Sequence, residues 1–205
     1  MSDESVNNKV RKVAAFDFDG TIIKHDSLFD FIKHAVPFSR MVYGSIKAVP
    51  YFALYALKLM PNFAAKEKVF TAFFKGWRLD DFNKVCVDFI PKINAMVNPD
   101  AIKKIKWHQQ MGHEVIIISA SVENWIIPWA TKMGINTVLA TQIEVIDGRI
   151  TGKFQSKNCH GPEKVNRLRT HLPDFENYEL YAYGDSNGDK EMLLIADHKF
   201  YRCFV

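Results

Sequence analysis

The stretch that decides the fold of this chain is KVAAFDFDGT, at residues 12–21. Lys12–Phe18 is almost entirely apolar until Asp17, which predicts a short strand buried on both faces at the centre of a parallel sheet. The residues that follow, beginning with Asp19, indicate a loop. Two carboxylates therefore stand where the strand ends, which is the edge of an open α/β sheet at which ligands bind. Because two acids this close repel each other, a cation or a shared proton is expected there.

Strand and helix patterns alternate along the second half of the chain. Helices are predicted from a cap at Asn98 to Gln110, over Val122–Met133 and over Pro162–His171. The predicted strands are Glu114–Ile118, Asn136–Thr141, Leu180–Tyr183 and Lys199–Val205. A further segment, Ile143–Phe154, carries Asp-Gly between alternating residues, which predicts a hairpin with a type I′ turn. Strands separated by helices imply an α/β fold with a doubly wound parallel sheet.

The chain between these two parts has helical periodicity instead. From Ser27 to about Met96, large apolar residues recur at three- and four-residue steps. Prolines are expected to cut this stretch into several helices, at Pro37, Pro50, Pro61 and Pro91. The stretch is also basic, because residues 31–79 carry eight Lys or Arg and one acid, whereas the whole chain has a net charge of only +4. The chain therefore has two regions of different electrostatic character.

The composition excludes several classes of protein. Apolar residues make up 48% of the 205 residues, which is typical of a globular protein with a sizeable core. The three cysteines are far apart and lack a C-x-x-C spacing, so neither a disulfide framework nor a Cys-rich zinc site is expected. This use of cysteine suits a reducing cytoplasm. The polar N-terminus predicts no signal peptide, and no apolar run is long enough to predict a transmembrane helix. The basic residues lack the pattern of a recognition helix, so nucleic-acid binding is not expected.

Three more polar groups fall at predicted strand ends or helix starts. The sequence Ser-Ala-Ser at residues 119–121 follows an apolar strand, where a hydroxyl binds phosphate oxygens or only caps a helix. Lys164 lies in the first turn of a helix, where the macrodipole disfavours a cation, so it has either an anionic partner or contact with solvent. Asp185 and Asp189 lie on a Gly-containing loop after a strand, and hard oxygen ligands without Cys or His suggest Mg²⁺ rather than Zn²⁺.

The four groups, taken in order, resemble the motifs of the haloacid dehalogenase-like superfamily: Asp-x-Asp-x-Thr, a strand-end Ser, Lys and Gly-Asp-x-x-x-Asp. Most members are phosphatases that act through an aspartyl-phosphate. The resemblance extends from Val13 to about Ile195 and is greatest to the phosphoserine-phosphatase-like branch (subfamily IB), while the apolar, basic helical stretch resembles the phosphatidylglycerophosphatase type. The resemblance implies a Rossmann-like core with an inserted helical cap: residues 1–24 and 97–205 for the core, and residues 25–96 for the cap.

The resemblance also implies a reaction. Asp17 would attack phosphorus and form a covalent aspartyl-phosphate, and Asp19 would protonate the leaving oxygen and then take a proton from water. Mg²⁺ would be held by Asp17, Asp185 and the backbone carbonyl of Asp19. The remaining implied roles are phosphate binding by Ser119, Ala120, Lys164 and Gly20, and support of the site by Asp189 and Thr21.

Asp26 and His25 are the candidate substrate contacts. Phosphoserine phosphatases have a glutamate nine residues after the nucleophile, where this chain has Asp26, and usually an Asn where it has Gly188. Phosphoserine is therefore not the first expectation, and the apolar, basic helical stretch suggests a lipid phosphate instead. The alternatives are a small soluble phosphomonoester, phosphate transfer to an acceptor other than water and, more distantly, a non-catalytic binding module. Cys159 and His160 are expected to pack in a loop rather than bind a metal.

Met41–Met60 suggests a second kind of partner, because its only charged residues are Lys47 and Lys58. Pro50 is expected to divide this segment into two short helices. Apolar helix faces rimmed by basic residues lie in membrane interfaces, so the cap is predicted to make peripheral contact with a membrane. The alternative is that the two segments pack on each other over a small polar substrate. The predicted location is the cytoplasm, at the inner membrane surface.

Overall fold

The computed structural model describes residues 11–204, with only the backbone at residues 52 and 62. Residues 1–10 of the predicted core and Val205, the predicted end of the last strand, lie outside the described residues. The described strands are β1 (Arg11–Phe16), β2 (Glu114–Val122), β3 (Thr137–Thr141), β4 (Ile143–Ile146), β5 (Arg149–Phe154), β6 (Tyr178–Gly184) and β7 (His198–Tyr201).

Five of these strands form one sheet in the order β3-β2-β1-β6-β7, and every neighbouring pair is parallel. β1 lies at the centre, with Phe16 opposite Ile117 of β2 on one side and Tyr183 of β6 on the other. Its last four residues are fully buried because it has a strand on each side and helices on both faces. The doubly wound parallel sheet predicted from the sequence is therefore confirmed.

The helices lie between the strands in the chain. Their bounds are α1 (Ser27–Ala35), α2 (Phe38–Ala56), α3 (Asn62–Phe74), α4 (Leu79–Asp88), α5 (Ile90–Met96), α6 (Pro99–Gln110), α7 (Glu123–Lys132), α8 (Pro162–His171) and α9 (Lys190–Ile195). Alternate residues of β1 face opposite layers. Val13 packs in one cluster with Leu168 of α8 and Met192 of α9, and Phe16 packs in the other with Ile105 of α6 and Trp125 of α7.

The helices α1 to α5, here called the inserted helices, lie between the first two strands in the chain. They share an aromatic cluster with the core, because Phe31 of α1 stacks on Trp125 of α7 with ring centroids 4.6 Å apart. The chain enters and leaves them side by side. The Lys24 N–H donates to the carbonyl of Met96 at 3.0 Å, and the Asn98 N–H donates to Ile22 at 2.9 Å. This double connection lies at the predicted core–cap boundary, and the division into two domains stays a prediction.

The hairpin of β4 and β5 forms a separate two-stranded sheet. Asp147 and Gly148 have φ values of 50° and 71°, as the predicted type I′ turn requires. The hairpin also contacts the inserted helices, since the hydroxyl of Thr71 on α3 donates to the carbonyl of Gly152 at 2.6 Å.

The prediction that Pro50 leaves two short segments is wrong, because α2 continues through it from Phe38 to Ala56. Proline lacks an N–H, so the hydrogen bond to the carbonyl of Ile46 is lost. Packing against α3 supports the helix, since Gly44 lies against Phe73 before Pro50 and Tyr51 lies near Lys68 after it. Within residues 11–204, no helix combines the length and apolar character that crossing a bilayer requires.

Two strand ends also differ from the prediction. β2 continues past Ile118 to Val122, with irregular pairing to β3 between Ser119 and Val122. β7 ends at Tyr201, because Arg202 has a φ of 51° and turns the chain out of the strand.

Candidate active site

A cleft of about 430 Å³ opens at the carboxyl ends of β1, β2 and β6. The sheet brings the predicted groups together there, since Asp17 follows β1, Ser119 lies near the end of β2 and Asp185 follows β6. Nine of the predicted site residues line the cleft: Asp17, Asp19, Gly20, His25, Asp26, Ser119, Ala120, Lys164 and Asp185. Thr21 and Asp189 lie behind this lining and contact it through hydrogen bonds.

Lys164 is the ionic centre of the site. Its Nζ lies 2.6 Å from Oδ1 of Asp17 and 2.5 Å from Oδ1 of Asp189, and its side chain is only 2% exposed. Burial lowers the pKa of Lys164, but the charges of Asp17 and Asp189 raise it more, so the ammonium stays protonated. The anionic partners expected for a lysine in the first turn of a helix are therefore these two carboxylates.

Asp17 is held rigidly and has an unusual environment. Its N–H donates to the carbonyl of Tyr183 at 2.9 Å, which continues the β1–β6 ladder by one residue. Burial raises the pKa of the Asp17 carboxyl to about 7, against the opposing effect of Lys164. A carboxylate that is fixed in position and poorly solvated is more reactive than one in water.

The carboxylate of Asp189 accepts four hydrogen bonds, three of them at Oδ2. Its Oδ1 accepts from Lys164, and its Oδ2 accepts from the N–H groups of Asp185 and Ser186 at 3.2 and 3.0 Å and from the Ser186 hydroxyl at 2.8 Å. Burial raises its pKa, but the Lys164 charge and these hydrogen bonds lower it further, so Asp189 stays ionised. These contacts favour the predicted supporting role, because Asp189 positions Lys164 and the loop that carries Asp185.

One carboxylate oxygen from each of Asp17, Asp185 and Asp189 lies within 4.8 Å of the other two, which suits a divalent cation. With all three carboxylates ionised, the Lys164 ammonium leaves a net charge of two negative units, which a divalent cation would balance. Burial and the charge of Asp189 raise the pKa of Asp185. Gly20 makes the close approach feasible, since its φ is 76° and a Cβ there would lie 2.4 Å from Oδ2 of Asp185. The hard oxygen donors fit Mg²⁺, and the Thr21 hydroxyl steadies them by donating to Oδ1 of Asp185 at 3.3 Å.

Asp19 points its carboxylate away from this cluster. Its Oδ1 accepts from the N–H of Ser27 at 2.8 Å, and its Oδ2 accepts from the hydroxyl of Ser121. Burial and the charge of Asp26 raise the pKa of Asp19. A raised pKa favours the protonated form that a general acid needs, and the two hydrogen bonds leave the backbone of Asp19 for a metal.

The structure adds site residues that the sequence analysis missed. Lys66 of α3 lines the cleft and donates to Oδ2 of Asp26 at 3.0 Å, while Oδ1 of Asp26 caps α1. Burial lowers the pKa of Lys66, but the charges of Asp26 and Asp19 outweigh it and raise the value. No local signal could have identified Lys66, because it is forty residues from Asp26 in the chain.

His160 and His25 both line the cleft. The ring of His160 packs against Gly188 of the neighbouring loop, and its place in the cleft lining is a feature that the sequence did not predict. Burial and the charge of Lys164 lower the pKa of His160. His25 lines the cleft as predicted and forms a 2.8 Å hydrogen bond with Oδ2 of Asp30.

Comparison with known proteins gives one family. The sequence model of the haloacid dehalogenase-like hydrolases matches residues 14–194. Protein CicA of Caulobacter vibrioides is 33% identical over 199 residues, covering 94% of this chain and 86% of its own. A probable phosphatase of Mycobacterium tuberculosis is 28% identical over 200 residues, covering 93% of this chain and 68% of its own.

Solved structures show the same fold at lower identity. A protein of unknown function from Bordetella pertussis superposes with a TM-score of 0.76 at 21% identity, covering 90% of this chain and 86% of its own. A substrate-bound phosphoserine phosphatase superposes with a TM-score of 0.67 at 18% identity, covering 93% of this chain and 85% of its own.

Proposed function

The chain belongs to the haloacid dehalogenase-like hydrolase family, and from that membership we propose that it is a Mg²⁺-dependent phosphatase acting through an aspartyl-phosphate. The proposal rests on the buried contact of Lys164 with Asp17 and Asp189 at the strand ends. Asp19 lies beside this contact and accepts its own hydrogen bond from the N–H of Ser27. This arrangement supplies an oriented nucleophile, a cation for phosphoryl oxygens and an acid of raised pKa in one cleft.

In the proposed first step, a carboxylate oxygen of Asp17 attacks phosphorus and the bond to the leaving oxygen breaks. Asp19 donates its proton to that oxygen, so the product leaves as an alcohol. In the second step Asp19 takes a proton from water, whose oxygen attacks the aspartyl-phosphate and releases phosphate and the Asp17 carboxylate. Lys164, Ser119 and the backbone near Gly20 and Ala120 hold the phosphoryl oxygens as charge shifts onto them.

Asp17, Asp185 and the backbone carbonyl of Asp19 would hold Mg²⁺ in this cleft. The ion supplies positive charge that offsets repulsion between the nucleophile and the phosphate. Asp189 stays outside the ligand set, because its oxygens already accept hydrogen bonds from Lys164 and the loop.

A lipid phosphate is the leading substrate class, with the inserted helices acting as a cap that also makes peripheral membrane contact. Support comes from α2, whose large apolar residues Phe38 and Ile46 are 77% and 65% exposed. The Asp26–Lys66 pair on the cleft wall instead favours a small soluble phosphomonoester that carries charge near its phosphate. Transfer to an acceptor other than water uses the same first step and is the third candidate.

Phosphate release over a panel of soluble and lipid monoesters tests the proposal. We expect release in Mg²⁺, none in EDTA with recovery on adding Mg²⁺, and loss of turnover in Asp17→Asn with an unchanged circular dichroism spectrum. Full activity of Asp17→Asn, with deamidation excluded by mass spectrometry, would contradict the proposed nucleophile. Faster turnover of a soluble ester than of any lipid phosphate would favour the small soluble phosphomonoester. Formation of a phosphorylated acceptor in place of free phosphate would favour transfer to an acceptor other than water.

A further inference from the structure

A groove of about 590 Å³ runs between α2 and α3 and shares no lining residue with the catalytic cleft. Four cations and two tyrosines are prominent in its lining: Arg40, Lys47, Lys68, Lys75, Tyr43 and Tyr51. We call this feature the basic groove. The sequence predicts an excess of basic residues here, and only the structure shows that two helices bring them to one concave surface.

The charges of the basic groove are not neutralised by carboxylates of the part of the chain that the structure describes. Within residues 11–204, none of its four cations has a carboxylate oxygen within the 4.0 Å of a salt bridge. Aromatic faces hold three of them instead: Lys47 lies 4.4 Å from the ring centre of Tyr43, Lys68 6.0 Å from Tyr51, and Arg40 5.7 Å from Trp77. Cation–π contacts orient a cation without cancelling its charge.

Acidic residues are also scarce around the basic groove. Residues 37–63 contain no Asp or Glu. The acid of α3, Glu67, accepts a hydrogen bond from the N–H of Phe154 at 2.9 Å, so it is engaged with the hairpin. Four converging cations without an anion repel one another, and an anion with several oxygens would relieve that repulsion.

The neighbouring face of α2 is apolar. Phe38, Val42, Ile46 and Val49 recur at helical spacing and are between 45% and 77% exposed, and we call them the apolar stripe. At 100° per residue, this stripe adjoins the side of α2 that carries Tyr43 and Lys47. Ten of the seventeen large apolar side chains that are exposed in residues 11–204 lie between residues 29 and 63. Exposed apolar side chains that are concentrated in one part of a protein are typical of an interaction surface.

We propose that the basic groove and the apolar stripe together dock the protein on an anionic bilayer, with a lipid headgroup phosphate in the groove and the stripe at the acyl boundary. The proposal deepens the membrane contact in the proposed function and uses none of the catalytic residues. A polyanion such as nucleic acid fits less well, because its backbone offers no apolar partner for four exposed aliphatic and aromatic side chains.

Co-sedimentation with vesicles of phosphatidylcholine, alone or mixed with phosphatidylglycerol, tests the proposal. We expect binding to the anionic vesicles only, and less binding as salt rises. Each basic residue near an anionic surface strengthens partition about fivefold, so Lys47→Gln with Lys68→Gln should weaken it about 25-fold. The matched control is Lys106→Gln with Lys132→Gln, which removes the same charge from exposed positions on α6 and α7 and should bind like the wild type. Ile46→Ser should weaken binding about tenfold, because the side chain no longer enters the acyl boundary.

Each contrary result overturns the docking proposal in a different way. Equal losses in the groove variant and its control would mean that only net charge matters. No binding of the wild type to anionic vesicles, with binding of inorganic phosphate lost in the groove variant, would assign the groove to a soluble anion. Retention of the wild type by nucleic acid but not by vesicles would replace the bilayer with a polyanion. Asp17→Asn should sediment like the wild type, so a failure of docking is distinguishable from a failure of the proposed catalysis.

Discussion

At the scale of single residues, the two carboxylates beside Lys164 stabilise a cation that is buried in the first turn of a helix. A buried ammonium at the first turn of a helix meets both a desolvation cost and the positive end of the macrodipole. Two carboxylates within 2.6 Å offset both effects. Removing either carboxylate would leave the buried ammonium with a single partner, which is more costly than breaking an exposed pair.

The different surroundings of Asp19 and Asp185 predict different effects on metal binding. Asp185→Ala should weaken Mg²⁺ affinity at least about tenfold, because it removes an oxygen ligand of the proposed site. Asp19→Asn should abolish turnover but keep Mg²⁺ affinity within about threefold, because its side chain bonds Ser27 and Ser121 instead. Titration calorimetry with Mg²⁺ measures both variants. Equal losses of affinity would contradict these roles.

At the scale of elements, the contact of α2 with α3 depends on a small residue. Gly44 is buried in α2, and a Cβ there would lie 2.3 Å from the ring of Phe73 on α3. The two helices therefore approach closely at this point. The basic groove exists because the same contact brings lysines of the two helices to one concave surface.

Gly44→Val tests this contact. We expect it to lower the free energy of unfolding by about 1–3 kcal/mol, because the added side chain overlaps Phe73 and forces the helices apart. Urea denaturation measures the change, and Ser45→Val is the matched control because Ser45 is exposed on the same helix. Phe73→Ala in the same chain should make the effect of Gly44→Val smaller, since the overlapping ring is gone. Equal destabilisation by the valines at residues 44 and 45 would show that the contact is not tight.

At the scale of the whole molecule, a buried histidine links α6 to the sheet. His108 is fully buried, its Nε2 lies 2.9 Å from the Tyr183 hydroxyl and its Nδ1 lies 2.8 Å from Nδ1 of His113. Burial and the nearby His113 lower the pKa of His108 to about 3, so it is neutral in the folded protein. An unfolded histidine titrates near its ordinary pKa of about 6.5.

This difference predicts a pH-dependent stability. Below about pH 6.5 the unfolded chain binds a proton at His108 and the folded chain does not, so the stabilisation present above that pH is lost as pH falls toward 3. The loss attributable to His108 should reach about 2 kcal/mol by pH 5. Urea unfolding of the wild type and of His108→Gln at pH 7.5 and pH 5 checks it. The stability advantage of the wild type should shrink at the lower pH, and a constant difference would contradict the prediction.

The amino-acid sequence by itself determined the order of elements and the chemistry at the strand ends. Local signals are sufficient for both. The apolar run before Asp17 predicts a buried strand, the Asp-Gly pair predicts a turn with positive φ, and carboxyl ends of parallel strands necessarily share one edge. For that reason the acids, Ser119 and Lys164 could be assigned to one cleft before any distance was known.

Only the tertiary structure decided contacts between residues that lack a local relation. Lys66 meets Asp26 across forty residues, His160 reaches the cleft because Gly188 leaves room for its ring, and α2 passes Pro50 because α3 packs against it. The basic groove also needs two helices at once. In each case the deciding free energy comes from packing and from charges brought together by folding, and neither has a signature in a short window of sequence.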